Sequence, residues 1–115
     1  LTNTFKFKKE GLKEKDIEGY GKKQVEKIGG MSEKFRSVNK RSVPDRIDTF
    51  PYGILFFVEY KAPGKKPTDL QLKDHRKRRA LGQKVLVIDT KEKVDEYIAM
   101  VKIRIEAAEL IGVTG

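Results

Sequence analysis

The segment from Arg46 to Tyr60 constrains this chain more than any other. Ile54 to Tyr60 is rich in aromatic and β-branched residues, Arg46 to Phe50 precedes it, and Pro51-Tyr52-Gly53 separates the two. That pattern predicts a strand–turn–strand hairpin. With the turn centred on Tyr52, residues equally far from it along the chain face each other, which sets Asp45 opposite Glu59. Strand side chains alternate between faces, so Lys61 follows Glu59 on the same one. Leu55 and Phe57 share that face and are expected in the core. The hairpin thus ends in two carboxylates and a lysine at the mouth of a loop.

No internal repeat or low-complexity linker divides the sequence, and residues 1–115 are expected to form one domain. Residues 1–12, with Phe5, Phe7 and Leu12 among lysines, read as an arm or short strand. From Lys13 to Ile28 the spacing of Ile17, Gly21, Val25 and Ile28 predicts a helix, stopped by Gly29-Gly30. Gly19 and Gly21 oppose it, at about 1 kcal/mol each. Met31 to Ser37 suits a short strand, and Val38 to Ser42 a basic loop. After the hairpin comes a Pro/Gly/Lys loop, Ala62 to Pro67, then a helix capped by Thr68, running to Leu81 and closed by Gly82. Lys84 to Asp89 holds the continuous run Val85-Leu86-Val87-Ile88, expected as a fully buried strand. A last helix over 91–111 carries apolar residues at Val94, Ile98, Val101, Ile105 and Ala108. The order α-β-β-β-α-β-α predicts an α/β fold with a mixed sheet of about four strands flanked by helices.

Lysines and arginines number 26 against 17 acids, a net charge of +9. That excess suits a polyanion, of which nucleic acid is the commonest. The absence of cysteine excludes disulfides, thiolate zinc sites and cysteine nucleophiles. The single histidine, His75, excludes a histidine-rich metal centre; flanked by Asp74 and Arg76, it is expected on a solvated helix surface. The longest apolar run, Ile54 to Val58, is far short of the ~18 residues of a membrane span. Lys6, Lys8, Lys9 and Glu10 break any hydrophobic opening, so no signal peptide is expected and the protein reads as soluble and cytoplasmic.

The Asp45, Glu59 and Lys61 cluster suits phosphodiester hydrolysis. Mg²⁺ takes hard oxygen ligands, usually with only one or two protein carboxylates, and keeps waters for exchange with substrate. Asp45 and Glu59 supply such carboxylates, with the backbone carbonyl of Tyr60 as a candidate third ligand. A lysine beside them can orient an attacking water and offset phosphate charge. An exposed salt-bridged ladder on a hairpin would present the same residues.

Val43-Pro44-Asp45-Arg46, then Phe57-Val58-Glu59-Tyr60-Lys61-Ala62-Pro63, then Leu70-Gln71, resembles the VRR-NUC family of the PD-(D/E)xK nuclease superfamily. Glu14-Lys15-Asp16-Ile17-Glu18 with Gly29-Gly30 resembles that family's first helix, and Gly82 to Ile88 its return into a strand. The likeness spans 13–89. It implies a restriction-endonuclease-like core and cleavage of DNA with Mg²⁺ or Mn²⁺. Small stand-alone members, typically from phages, act as dimeric Holliday-junction resolvases, which makes a homodimer acting on four-way junctions the expectation. Larger relatives act on flaps and cross-link repair intermediates. Two departures are Val43, where glycine commonly precedes the proline, and Tyr60, where an aliphatic residue commonly stands. Neither supplies a catalytic side chain.

The resemblance implies that Asp45 and Glu59 are metal ligands, that Lys61 orients the water, and that Gln71 joins the site. Thr68-x-x-Gln71 also reads as a capping box, and the two roles are compatible. The first-helix acid is Glu14 or Glu18. On a helical wheel Glu14 falls about 40° from the centre of the apolar stripe and Glu18 about 80°, which favours Glu14. Arg36, Lys40, Arg41, Arg46, Lys65, Lys66, Arg76 and Arg79 are candidate DNA-phosphate contacts. A flap, nicking or restriction-type nuclease, and a non-catalytic basic nucleic-acid-binding module, are the competing readings. The last helix carries a second apolar stripe, Met100, Ile103, Ala107, Leu110 and Ile111, which a twofold partner or the N-terminal arm would cover.

Overall fold

In a computed structural model, residues 11–112 are described; most of the expected N-terminal arm, with Phe5 and Phe7, lies outside them. The elements are α1 (Glu14–Lys27), β1 (Met31–Lys34), β2 (Arg46–Phe50), β3 (Ile54–Tyr60), α2 (Asp69–Ala80), β4 (Val85–Ile88) and α3 (Lys91–Leu110). The order matches the expectation. The sheet order is β1-β2-β3-β4, with β1, β2 and β3 antiparallel and β4 parallel to β3.

The hairpin register is the one centred on Tyr52, with Arg46 opposite Val58 and Phe50 opposite Ile54. Tyr52 and Gly53 both take positive φ, 66° and 72°, which folds β3 back on β2. Two helix ends share one chemistry. Gly29 and Gly82 adopt left-handed φ, and the N–H groups of Gly29 and Gly30, and of Gly82 and Gln83, cap the last carbonyls of α1 and α2.

Phe56, Val58 and Tyr60 face α1 and α3, where they pack with Ile17, Val25, Val94, Tyr97, Ile98 and Val101. Tyr97 stands edge-on to Phe56, ring centres 5.4 Å apart, and donates its hydroxyl to the buried Asp48 at 2.8 Å. Gly21 is where the helix meets the sheet most closely. A β-carbon there would lie 2.0 Å from the Tyr60 hydroxyl, so only glycine lets α1 dock on β3.

The expected burial of this face holds for Phe57 and fails for Leu55. Leu55 is 40% exposed, and Phe57 is buried on the α2 side, under Phe35 and the Arg78 guanidinium. Strand alternation says which residues share a face, but a sheet covered on both sides offers apolar residues to each. Two further corrections concern strands. β1 ends at Lys34 rather than Ser37, although the Phe35 N–H still donates to the Asp45 carbonyl at 2.9 Å. β4 is an edge strand with Leu86 and Val87 only half-buried, so its unbroken apolar run does not mark a central position. Among the described residues no helix is long and apolar enough to cross a membrane.

Candidate active site

One end of the sheet gathers the charged residues that the hairpin register set together. Asp45 sits just before β2, and its Oδ2 accepts from the Tyr60 N–H at 2.6 Å. Glu59, near the end of β3, is 1% exposed on the α2 side. Lys61 follows the strand, with Nζ 3.9 Å from Glu59 Oε2 and its N–H donated to the Ile88 carbonyl.

Gln71 has both of its expected roles' geometry. Its N–H donates to Thr68 Oγ1 at 3.2 Å and its Oε1 accepts from the Thr68 N–H at 2.8 Å, closing the capping box. The same side chain donates Nε2 to Glu59 Oε2 at 3.0 Å. The helix N-terminus and the carboxylate are thus joined through one amide.

His75 overturns its expectation. It is fully buried, and its Nε2 lies 3.4 Å from Glu59 Oε1. Burial, and then the Arg79 charge, push its pKa down. The residue was legible in one respect only: it stands one turn after Gln71 and so shares its helix face.

The electrostatics follow from the crowding of carboxylates. Burial, and then the neighbouring Asp45, push the Glu59 carboxyl up to about 8, with Lys61 opposing. Burial also raises Asp45, against the Tyr60 N–H that favours its charged form. A buried carboxylate raised by a neighbouring carboxylate in this way suits a cation between the two. Among the described residues no three side chains of His, Cys, Asp and Glu converge as a metal-binding group, and the carboxylates that meet here are the pair Asp45 and Glu59. That is the number Mg²⁺ accepts while retaining waters.

The two first-helix acids separate. Glu14 is exposed and electrostatically coupled to Asp45 and Lys61; partial desolvation, then Asp45, raise its pKa. Glu18 is buried and committed elsewhere, 2.6 Å from Lys34 and 2.7 Å from Arg46. Burial opposes its ionisation, but those two cations hold its pKa below the usual carboxylate range. Both acids bear on the charge of the cluster, Glu14 raising Glu59 and Glu18 raising Asp45.

The basic residues divide likewise. Beside Asp45 opens a groove of about 410 Å³, lined by Lys34, Arg36, Lys40 and Arg41 with Phe35 and Pro44. Lys65, Lys66 and Arg76 are exposed. Arg46, expected to meet DNA, instead turns inward: its side chain is 11% exposed and donates to Glu18 and to the Ser32 carbonyl. Arg79 donates to the Val85 carbonyl at 2.8 Å, which ties α2 to β4.

No family model matches the sequence. A protein of Acyrthosiphon pisum secondary endosymbiont phage 1, named "Putative nuclease p44", is 46% identical over 81 residues, covering 70% of this chain and 87% of that protein. A solved structure described as a "VRR_NUC domain" is similar with a TM-score of 0.73 and 31% identity, covering 77% of this chain and 97% of its own.

Proposed function

The chain belongs to the VRR-NUC family of nucleases, and from that premise we propose that it is a Mg²⁺- or Mn²⁺-dependent endodeoxyribonuclease that resolves four-way DNA junctions. The observation that carries the reading is the meeting of Asp45, Glu59, Lys61 and Gln71 at one end of a restriction-endonuclease-like sheet.

Asp45 and Glu59 would hold the ion, with the Tyr60 carbonyl as third protein ligand. A bound divalent ion lowers the pKa of a water and neutralises charge on the phosphate. Lys61 holds the attacking water in line and faces the negative charge that grows on the phosphoryl oxygens. Gln71 keeps Glu59 in one orientation. Glu14 adds a carboxylate at the mouth of the site, able to accept a hydrogen bond from that water. The groove cations Arg36, Lys40 and Arg41, with Lys65, Lys66 and Arg76, seat the flanking phosphates.

A four-way junction calls for two symmetric cuts, and the last helix supports a twofold partner. Ile103, Leu110 and Ile111 are 66%, 87% and 76% exposed on the outer side and C-terminal end of α3. An isologous contact would cover them. As a nuclease acting on phage or host DNA, the protein would work in the host cytoplasm.

A side-by-side digest of four-way junction, flap and linear duplex, with EDTA as control, tests the proposal. Preferential, metal-dependent cutting of the junction is expected. Preferential cutting of the flap or duplex would replace the substrate. Binding without cleavage would leave a basic binding module.

A further inference from the structure

The side of the sheet under α2 is closed in an unusual way. The buried residues of α2 are Asp74 and His75, and neither is apolar. Polar side chains removed from water need partners. Asp74 has one in Arg78, whose Nε lies 2.7 Å away. His75 has Glu59 Oε1 at 3.4 Å from Nε2, while its Nδ1 is buried without a hydrogen-bond partner. A ring carrying protons on both nitrogens would strand an N–H at Nδ1. Stranding a lone pair costs less than stranding an N–H. The arrangement that suits the site is a proton on Nε2, donated to the carboxylate.

Glu59 is then held at both oxygens. His75 reaches Oε1 and Gln71 reaches Oε2, at 3.4 Å and 3.0 Å. The two donors lie one helical turn apart, so α2 grips the carboxylate as a unit. A carboxylate carries more lone pairs than these two bonds use, which leaves each oxygen able to accept a further partner.

We propose that His75 is a positioning residue: with Gln71 it fixes the plane of the Glu59 carboxylate and so sets its affinity for the divalent ion. The inference rests on the metal-dependent nuclease reading and adds to it a residue outside the PD-(D/E)xK pattern. Hydrogen-bond partners behind a metal ligand change metal affinity or activity about 10- to 100-fold when removed.

The test compares His75→Leu, which fills the space without an N–H, with His75→Gln, which can carry an N–H towards Glu59. Mn²⁺ affinity is read by electron paramagnetic resonance titration, fold by thermal unfolding, and cleavage by kcat and KM on junction DNA. His75→Leu should keep a cooperative transition, bind Mn²⁺ about tenfold more weakly, and lower kcat with KM for DNA unchanged. His75→Gln should recover most of the loss. If His75→Leu does not fold, His75→Met, whose flexible chain fits the same space, takes its place. A folded apolar variant with wild-type Mn²⁺ affinity would overturn the proposal, as would His75→Gln falling as far as His75→Leu. Failure of the wild-type chain to bind Mn²⁺ would overturn the metal reading as well, so the two failures are told apart.

Discussion

Asp45 and Tyr60 are joined by a 2.6 Å hydrogen bond from the Tyr60 N–H to the Asp45 carboxylate. The residue that leads into β2 is thereby tied to the peptide immediately after Glu59. The position of one candidate ligand is set by the backbone that carries the other, so the pair moves as one piece with the hairpin.

Replacing members of this cluster should remove catalysis without unfolding the chain. Asp45→Asn keeps an acceptor for the Tyr60 N–H while losing the charge. Asp45→Asn, Glu59→Ala and Lys61→Ala should each slow cleavage by at least about 100-fold, equivalent to roughly 3 kcal/mol of transition-state stabilisation. DNA binding in EDTA should persist. Single-turnover cleavage and circular dichroism decide the matter, and a wild-type rate for Asp45→Asn would refute the assignment.

The Glu59 carboxyl, pushed up to about 8 by burial and then by Asp45, makes the metal-free chain sensitive to pH. Between its ordinary value of 4.5 and about 8 the folded state binds a proton that the unfolded state has released, so stability falls as pH rises through that window. Glu59→Gln should flatten the fall and melt higher than wild type at the alkaline end. Calorimetry in EDTA across the window measures both. Mn²⁺ must displace the same proton, so its apparent affinity should climb with pH and level off near 8.

Gly21→Ala puts a methyl group 2.0 Å from the Tyr60 hydroxyl. Overpacking of this kind costs about 1–3 kcal/mol, and the upper end is expected because two elements must separate. Tyr60→Phe removes the nearest atom, and the double variant should regain part of the loss. Denaturant unfolding of the two single variants and the double variant checks the coupling; an additive result would show that the ring does not press on the helix.

The cations beside the groove and the inward-turned Arg46 should behave oppositely. Arg41→Ala should weaken DNA binding and lower the salt slope by about one phosphate contact. Arg46→Ala should leave the slope unchanged and destabilise the fold, since it deprives the buried Glu18 of one of its two cations. Binding isotherms across a salt series, beside melting curves, separate the two. Equal slopes in all three proteins would argue that the groove does not meet DNA.

Charging the exposed end of α3 tests the twofold partner. Ile103→Glu with Leu110→Glu should convert a species of twice the chain mass into a monomer in sedimentation velocity at micromolar concentration. A wild-type chain that is already monomeric and still cuts both strands of a junction would refute the dimer.

The hairpin was legible because a Pro/Gly turn between two β-rich runs leaves one natural centre, and the opposition of Asp45 and Glu59 follows from it. The Thr68 cap and the Gly82 stop were legible for the same local reason. His75 was not, because hydrophobic periodicity is silent about a helix that buries polar residues against a carboxylate. Arg46 was hidden differently. Nothing in the spacing of a lone arginine tells a phosphate contact from a counter-charge, and its partner Glu18 lies on another element. Of the expected core pair Phe57 is buried and Leu55 is not, because alternation marks a shared face but not how far the covering helix reaches along it.

The polar underside of α2 has a consequence for how the molecule breathes. A helix held by an apolar stripe stays docked whatever its neighbours bind. This one is held through Gln71, His75, Arg78 and Arg79, two of them resting on a single carboxylate. Local opening of α2 and occupation of the site are therefore linked equilibria: whatever steadies Glu59 also steadies the helix, and detachment of the helix loosens Glu59. The segment that covers Glu59 is also the segment that Glu59 helps to hold.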